Sequence, residues 1–262
     1  MKFTKASAAG NDFILIDNRE KILSGNEQDF FRDICRRRYS IGADGVILLE
    51  NSSRADFHYR HFNSDGLPAA MCGNGARCIS RFAFERNIAG ADLSFEINGV
   101  IYQARCRAES ITVIFPYPKN ADTNMNIFPE SPLRETGFIN TGVPHYVIFI
   151  DDVDDVNVEE EGKKYRRHPA FKQGTNVDFV ETLDGHSLKI RTFERGVEAE
   201  TLACGTGAAA SAVIANLKKS VSPPVRVETR GGLLEIDWDS RKKTLLLTGT
   251  ADFVYVGELI RS

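Results

Sequence analysis

The chain has 262 residues, a formal net charge of −3, 26% charged and 42% hydrophobic residues. These proportions fit a globular protein with a filled core and exclude a collagen, a disordered tail and a coiled coil. With 33 basic against 36 acidic side chains, no positive excess exists to neutralise a phosphate backbone, so nucleic acid is not an expected partner. Met1–Gly10 has two lysines but no continuous apolar run, so no targeting segment is expected. The longest nearly uncharged apolar stretch, Ala203–Leu217, is too short and too polar to span a bilayer. No membrane contact and a cytoplasmic location are expected.

In chain order, Ala76–Arg86 carries Ile79, Phe82 and Ala83 at helical spacing. Leu93–Ile97, Asn98-Gly99 and Val100–Ala104 read as strand, tight turn and strand, and Ser110–Phe115 as a further strand. Pro116-Tyr117-Pro118-Lys119-Asn120 interrupts strand pattern and marks a boundary. Asp151–Arg167 is charged without useful periodicity and reads as a solvated surface segment. Ala208–Leu217 is apolar almost all round, as in a fully buried helix. Val225–Thr229, Gly231-Gly232 and Leu233–Trp238 repeat the strand–turn–strand pattern, and Thr244–Thr248 adds another strand. Ala251–Ile260 is strand-like and is placed back with the first half.

These elements repeat. Cys72-Gly73-Asn74-Gly75-Ala76 recurs 132 residues later as Cys204-Gly205-Thr206-Gly207-Ala208. Gly42-Ala43-Asp44-Gly45-Val46 lies opposite Gly174-Thr175-Asn176-Val177-Asp178 at the same offset, and Gly10 opposite Gly142. Phe62 answers Phe193, and Asn63 answers Glu194, at an offset of 131. The expected architecture is α+β: two pseudo-symmetric halves, each a curved, mostly antiparallel sheet wrapped around a central apolar helix. The first half covers 1–117 and is completed by 251–262; the second covers 118–250.

Each half brings a polar loop into Cys-Gly-x-Gly and then a helix. A thiol there lies near the positive end of the helix dipole, which favours thiolate. The glycines let successive N–H groups point outward as a cradle for a carboxylate or phosphate. Two such thiols suit inversion at a carbon bearing a carboxylate. One group removes the Cα proton from one face, and the other supplies a proton to the opposite face. Charge developing on the carboxylate would be held by the helix N-termini.

Other chemistries fit less well. A lone cysteine at a helix start is ordinarily buried filler. The duplication reverses that for Cys72 and Cys204, but not for Cys35, Cys78 and Cys106. An odd total of five argues against a disulfide framework. Cys72 and Cys78 are not spaced as a zinc pair, and the five histidines make no H-E-x-x-H, so no metal is expected. Gly205-Thr206-Gly207-Ala208-Ala209-Ala210 fits a loose dinucleotide fingerprint, but a hairpin pattern follows its helix where a parallel strand is required. No cofactor is expected.

Asn11-Asp12-Phe13, Phe62-Asn63-Ser64-Asp65-Gly66, Met71–Cys78, Pro144-His145, Phe193-Glu194-Arg195-Gly196 and Ala203–Gly207 resemble, in order, the motifs of the diaminopimelate epimerase family. Asn74 after Cys72-Gly73 favours that family over proline racemase-like relatives. The resemblance implies a cofactor-independent isomerase interconverting LL- and meso-2,6-diaminopimelate, which feeds lysine and peptidoglycan synthesis. It implies Cys72 and Cys204 as the proton-transfer groups, with His145 and Glu194 adjusting their protonation. It further implies that Gly73-Asn74 and Gly205-Thr206 cradle the carboxylate at the reacting carbon. Glu194, Arg195 and the amides of Asn11, Asn63 and Asn176 would hold the amino-acid substrate. A homodimer is expected on the same ground.

Taken singly, His145 would be a loop histidine, Glu194-Arg195 a surface ion pair, and Asn63 and Asn176 turn residues. Val143 stands where many members carry an asparagine, and Gly45 where a glutamine is common. Both changes bear on distal recognition and leave the two-thiol core intact. The alternatives are a racemase of another amino acid on the same fold, and a non-enzymatic amino-acid-binding or thiol redox protein. A binding protein has no need of two thiols on opposite faces of its ligand.

Overall fold

The computed structural model describes residues 1–127, 135–239 and 241–260. Contacts within the chain divide it into two compact units, Met1–Ile114 with Thr248–Ser262, and Phe115–Leu247. The chain leaves the first unit within one strand and re-enters it within another.

In the first unit, β1 (Lys2–Ala8) turns at Ala9-Gly10 into β2 (Asn11–Asp17), its antiparallel neighbour. Helix α1 (Gln28–Cys35) then carries the chain across to β3 (Gly45–Glu50), which runs parallel to β2 with Phe13 opposite Gly45. β4 (Phe57–Asn63) returns antiparallel to β3, with Gly45 opposite Asn63 and Ile47 opposite His61. Helix α2 (Gly73–Glu85) crosses to β5 (Asp92–Ile97), which is parallel to β4. β5, β6 (Val100–Cys106) and β7 (Ile111–Pro116) form a meander. Asn98 and Gly99 both take positive φ, as a two-residue hairpin turn requires. The last strand of the chain, β17 (Asp252–Glu258), pairs antiparallel with β1.

The second unit follows the same plan. β8 (Lys119–Asp122) pairs with β9 (Thr136–Asn140), and β9 with β10 (Pro144–Phe149). Helix α3 (Val158–Arg166) crosses to β11 (Asn176–Asp184), parallel to β10 with His145 opposite Asn176. β12 (Ser187–Glu194) is antiparallel to β11, with Asp178 opposite Thr192. β13 (Ala199–Thr201) pairs with the end of β12. Helix α4 (Gly205–Lys219) crosses to β14 (Val225–Thr229), parallel to β12. β15 (Gly232–Asp239) and β16 (Thr244–Gly249) complete the plan. Among the pairings whose register is described, each unit is antiparallel apart from two parallel ones, one at each helical crossover. The registers shift the sequence repeat by one residue at β3 and β11: Gly45, not Asp44, takes the position of Asn176, and Ile47 that of Asp178.

Helices α2 and α4 are the central helices read from the sequence. In α4, Gly205 and Gly207–Ala215 are buried, whereas Leu217, expected inside, is 55% exposed. Its last turn carries Lys218 and Lys219, which suit the negative end of the helix dipole. Helices α1 and α3 were not foreseen. They cover the other face of each sheet, which explains why β3 reads Gly-Val-Ile-Leu-Leu and is buried on both faces. Phe31 and Ile34 of α1 join Ile14, Ile16, Val46 and Leu48 in one core cluster.

The charged segment Asp151–Arg167 is not merely a solvated loop. Val158, Gly162 and Tyr165 make one buried face of α3, and Tyr165 packs against Tyr146 and Phe179. Asn157 caps the helix by accepting from the Glu160 N–H at 3.4 Å. Acidic side chains fill its first turn and basic ones its last, so the charges that masked the apolar face serve the helix dipole. No helix among the described residues is long and apolar enough to cross a membrane.

Candidate functional site

Both cysteines of the repeat occupy the same local position. Cys72 is the N-cap of α2, with φ −114° and ψ 125°, and Cys204 the N-cap of α4, with φ −115° and ψ 108°. Each carbonyl starts its helix, accepting from the Ala76 N–H at 2.8 Å and the Ala208 N–H at 2.9 Å. Both thiols lie beside the first N–H groups of their turns, and the Gly207 N–H bonds to the Cys204 sulfur.

In the first unit, the partly exposed Cys72 thiol lies 3.7 Å from Asn11 Oδ1. Asn11 is held by its other end, Nδ2 donating to Asp44 Oδ2 at 2.6 Å. Asp44 belongs to a charged cluster with Asp12, Arg37 and Lys5. Burial by itself would raise the Asp12 carboxyl, but the Arg37 and Lys5 pairs outweigh it and bring the pKa down to about 2. Asn74 is buried, and its Oδ1 accepts from Arg77 Nη2 at 2.9 Å. Arg77 is itself fully buried, with Nε on the Thr250 carbonyl at 3.1 Å. Asn63 stands exposed at the end of β4.

In the second unit, a chain of hydrogen bonds leads inward from Cys204. Its sulfur is 3.3 Å from Thr206 Oγ1, which is 3.0 Å from His145 Nε2. His145 Nδ1 is 2.7 Å from Asp178 Oδ2, and both side chains are fully buried. Thr192 donates to the other oxygen of Asp178 at 2.8 Å. Asn176 Nδ2 lies 3.3 Å from His145 Nε2, while its Oδ1 accepts from the Arg195 N–H at 2.7 Å. The Arg195 guanidinium reaches the Gln173 carbonyl at 3.2 Å.

The Cys204 thiol is pushed up well above the ordinary range, first by burial, then by the charges of Glu194 and Asp178; the Thr206 hydroxyl and Gly207 N–H oppose the shift. The expectation that the helix N-terminus favours thiolate is therefore overturned at Cys204: desolvation outweighs the dipole. Glu194, at the end of β12, is also raised, chiefly by burial, against the Thr201 hydroxyl and His145. Neither His145 nor Glu194 is the surface residue that it would be if read singly.

Sequence reasoning placed Cys204, Thr206, His145, Asn176 and Glu194 in one neighbourhood, and the structure brings them together. It missed Asp178, although a carboxylate within the apolar run Val177-Asp178-Phe179-Val180 is itself a signal of a paired buried charge. It also missed Asp44 and Arg37 behind Asn11. None of the five cysteines is in a disulfide bond. Among the described residues no group of three or more His, Cys, Asp or Glu side chains is arranged to hold a metal ion.

The fold is that of a class of α+β proteins built from two repeats. A Bacillus anthracis phenazine biosynthesis protein of the PhzF family superposes with a TM-score of 0.77 at 15% identity, covering 100% of this chain and 99% of its own. A probable proline racemase from Agrobacterium radiobacter gives 0.66 at 13% identity, covering 100% and 93%. The sequence is more specific. The family model for diaminopimelate epimerase matches residues 3–115 and 137–254. The diaminopimelate epimerase of Aquifex aeolicus is 41% identical over 99% of this chain and 98% of its own length. That of Archaeoglobus fulgidus is 39% identical over 98% and 95%. The chain belongs to the diaminopimelate epimerase family and is an isomerase of that kind.

Proposed function

We propose that this chain converts LL-2,6-diaminopimelate to the meso form without a cofactor, with Cys72 and Cys204 as the two proton-transfer groups. One cysteine, as thiolate, takes the Cα proton. The electron pair is held on the carbon and its carboxylate, and the other cysteine, as thiol, returns a proton to the opposite face. The roles exchange with the direction of reaction. The observation that carries this reading is the matched placement of Cys72 and Cys204 at two helix N-caps. The N–H groups of the first helical turns, at Gly73-Asn74 and Gly205-Thr206, suit the carboxylate on which charge develops.

His145 and Glu194 adjust thiol protonation in this reading, which the Cys204–Thr206–His145 contacts and the charge of Glu194 acting on Cys204 support. Asn11, Asn63, Asn176, Glu194 and Arg195 hold the substrate. A homodimer, a cytoplasmic location and a place in lysine and peptidoglycan synthesis complete the reading on family grounds.

The test uses pure protein with no pyridoxal phosphate and exhaustive chelation, following both epimerisation and Cα exchange in deuterated water. Cys72→Ala and Cys204→Ala should each lose epimerisation by roughly 10²-fold or more. Each should keep exchange of one stereoisomer only, and the two preferences should be complementary. Near wild-type epimerisation by both variants would remove the two-thiol reading. Loss of wild-type activity on chelation would remove the cofactor-free one.

A further inference from the structure

The two units build the same helix start on different foundations. Gly75 and Gly207 are each the third residue after the repeat cysteine, and each lies close against its sheet. A Cβ on Gly75 would run into the Tyr59 hydroxyl and come 3.0 Å from Ile47 Cδ1 and 3.5 Å from Phe13 Cζ. A Cβ on Gly207 would run into Asp178 Oδ1 and come 3.2 Å from Thr192 Oγ1. The strand registers make these sets equivalent. Phe13 opposes Gly45 as His145 opposes Asn176, and Ile47 opposes His61 as Asp178 opposes Thr192. So the fold also supports the same helix start on Tyr59, Ile47 and Phe13, with no carboxylate among them. A buried carboxylate beneath α4 is not needed for the architecture. Replacing a buried ion pair by packed apolar groups is in general often neutral or stabilising.

We infer that Asp178 is a positioning residue of the reaction, fixing the tautomer and orientation of His145. The inference rests on the role proposed above for His145. Asp178 Oδ2 accepts the Nδ1 proton, which leaves the lone pair of Nε2 facing outward. Two donors converge on that lone pair, the Thr206 hydroxyl at 3.0 Å and the Asn176 amide at 3.3 Å. Asn176 has only its N–H₂ to offer there, because its Oδ1 accepts from the Arg195 N–H. The Thr206 hydroxyl, donating to Nε2, has its oxygen free to accept from the Cys204 thiol 3.3 Å away. Every donor in this arrangement therefore has one direction, from Cys204 through Thr206 and His145 to Asp178. Thr192 fixes the rotation of the carboxylate by donating to its second oxygen. The charged or titratable groups facing this chain are Asp178, Glu194 and Cys204.

The decisive variant is Asp178→Asn, which keeps shape and removes one acceptor. With its oxygen still facing Thr192, the amide N–H₂ faces His145 Nδ1 and forces the proton to Nε2. Nitrogen-15 spectra of the imidazole, assigned by comparison with His145→Phe, should show a protonated Nδ1 in the wild type and a protonated Nε2 in Asp178→Asn. The kcat should fall roughly 10²-fold or more with KM changed less than about threefold. In a His145→Phe background, Asp178→Asn or Asp178→Ile should cause no further loss of kcat. The pair His145→Phe with Asp178→Ile gives the second unit the two apolar side chains that the first has at these places, Phe13 and Ile47, and should stay folded. An unchanged tautomer, a kcat within about twofold of wild type, or an equal loss with and without His145 would overturn the inference. Because the tautomer is read without substrate, failure of the epimerase reading would show separately, as a wild-type protein inactive on diaminopimelate.

Discussion

At the scale of single residues, the five cysteines separate by environment. Burial raises Cys35 to about 12 and Cys106 to about 11, and pushes Cys78 higher still. Cys204 is buried and raised as well, with Glu194 and Asp178 adding to the effect. Cys72 alone is partly exposed. Thiolate and access together set reactivity. Iodoacetamide at pH 8 should therefore label Cys72 at least about tenfold faster than any other cysteine. Peptide mass spectrometry after brief labelling reads the order, and first labelling of Cys78 or Cys106 would contradict it. The duplicated Cys-Gly-x-Gly was legible in the sequence, but this difference was not, since the helix dipole acts alike on both thiols while burial and neighbouring carboxylates do not.

At the scale of elements, α3 shows how composition can hide a packing surface. Its nine residues include three glutamates, two lysines and an arginine, yet Val158 and Tyr165 are buried, and Gly162 lies against Phe193. A Cβ on Gly162 would run into the Cβ and ring of Phe193, part of the core beneath α3. Alanine improves helix propensity by up to about 1 kcal/mol, whereas forcing a methyl group into a filled core costs about 1–3 kcal/mol or more. Gly162→Ala should thus lower stability by about 1–2 kcal/mol, read as a reduced urea midpoint with an unchanged slope. A gain in stability would mean that α3 is held at its surface. The hairpins and central helices were legible because periodicity and turn residues reported them. Helices α1 and α3 were not, because each spends only a few residues on its buried face.

For the whole molecule, the pH dependence of stability follows from its buried ionisable groups. Burial lowers His61 to about 4, against the pull of its hydrogen bond to the Ala70 carbonyl. The unfolded chain protonates that imidazole near 6.5, so its contribution is complete above pH 6.5 and is lost as pH falls towards 4. The loss is about 3 kcal/mol by linkage. Asp12 adds to acid sensitivity only below 3.8, as its paired carboxylate is protonated towards 2. Glu194, raised by burial, works in the opposite direction above 4.5, so the informative comparison is between proteins. His61→Leu should lose less stability than the wild type between pH 7 and pH 4.5, measured by urea unfolding at both. Equal losses would show that His61 is not the acid-sensitive group.

The sequence by itself determined the repeat, the α+β plan, the two central helices, the cysteine positions and the family. These depend on local spacing: apolar periodicity, glycines at turns, and motifs that recur 132 residues apart. The family resemblance also picked out His145, Glu194 and Asn176, and the repeat supported it, since Asn63 answers Glu194 and Asp44-Gly45 answers Asn176-Val177. Only the tertiary structure decided what those residues touch. A one-residue change of register at β11 puts Asp178 beneath α4 and behind His145, where the other half of the repeat has Ile47 behind Phe13. The same closeness that joins Cys204 to Thr206 and His145 also desolvates the thiol and reverses the pKa expected from its helix position. Charge interactions depend on distance and burial, and both are set by strands far apart in the sequence.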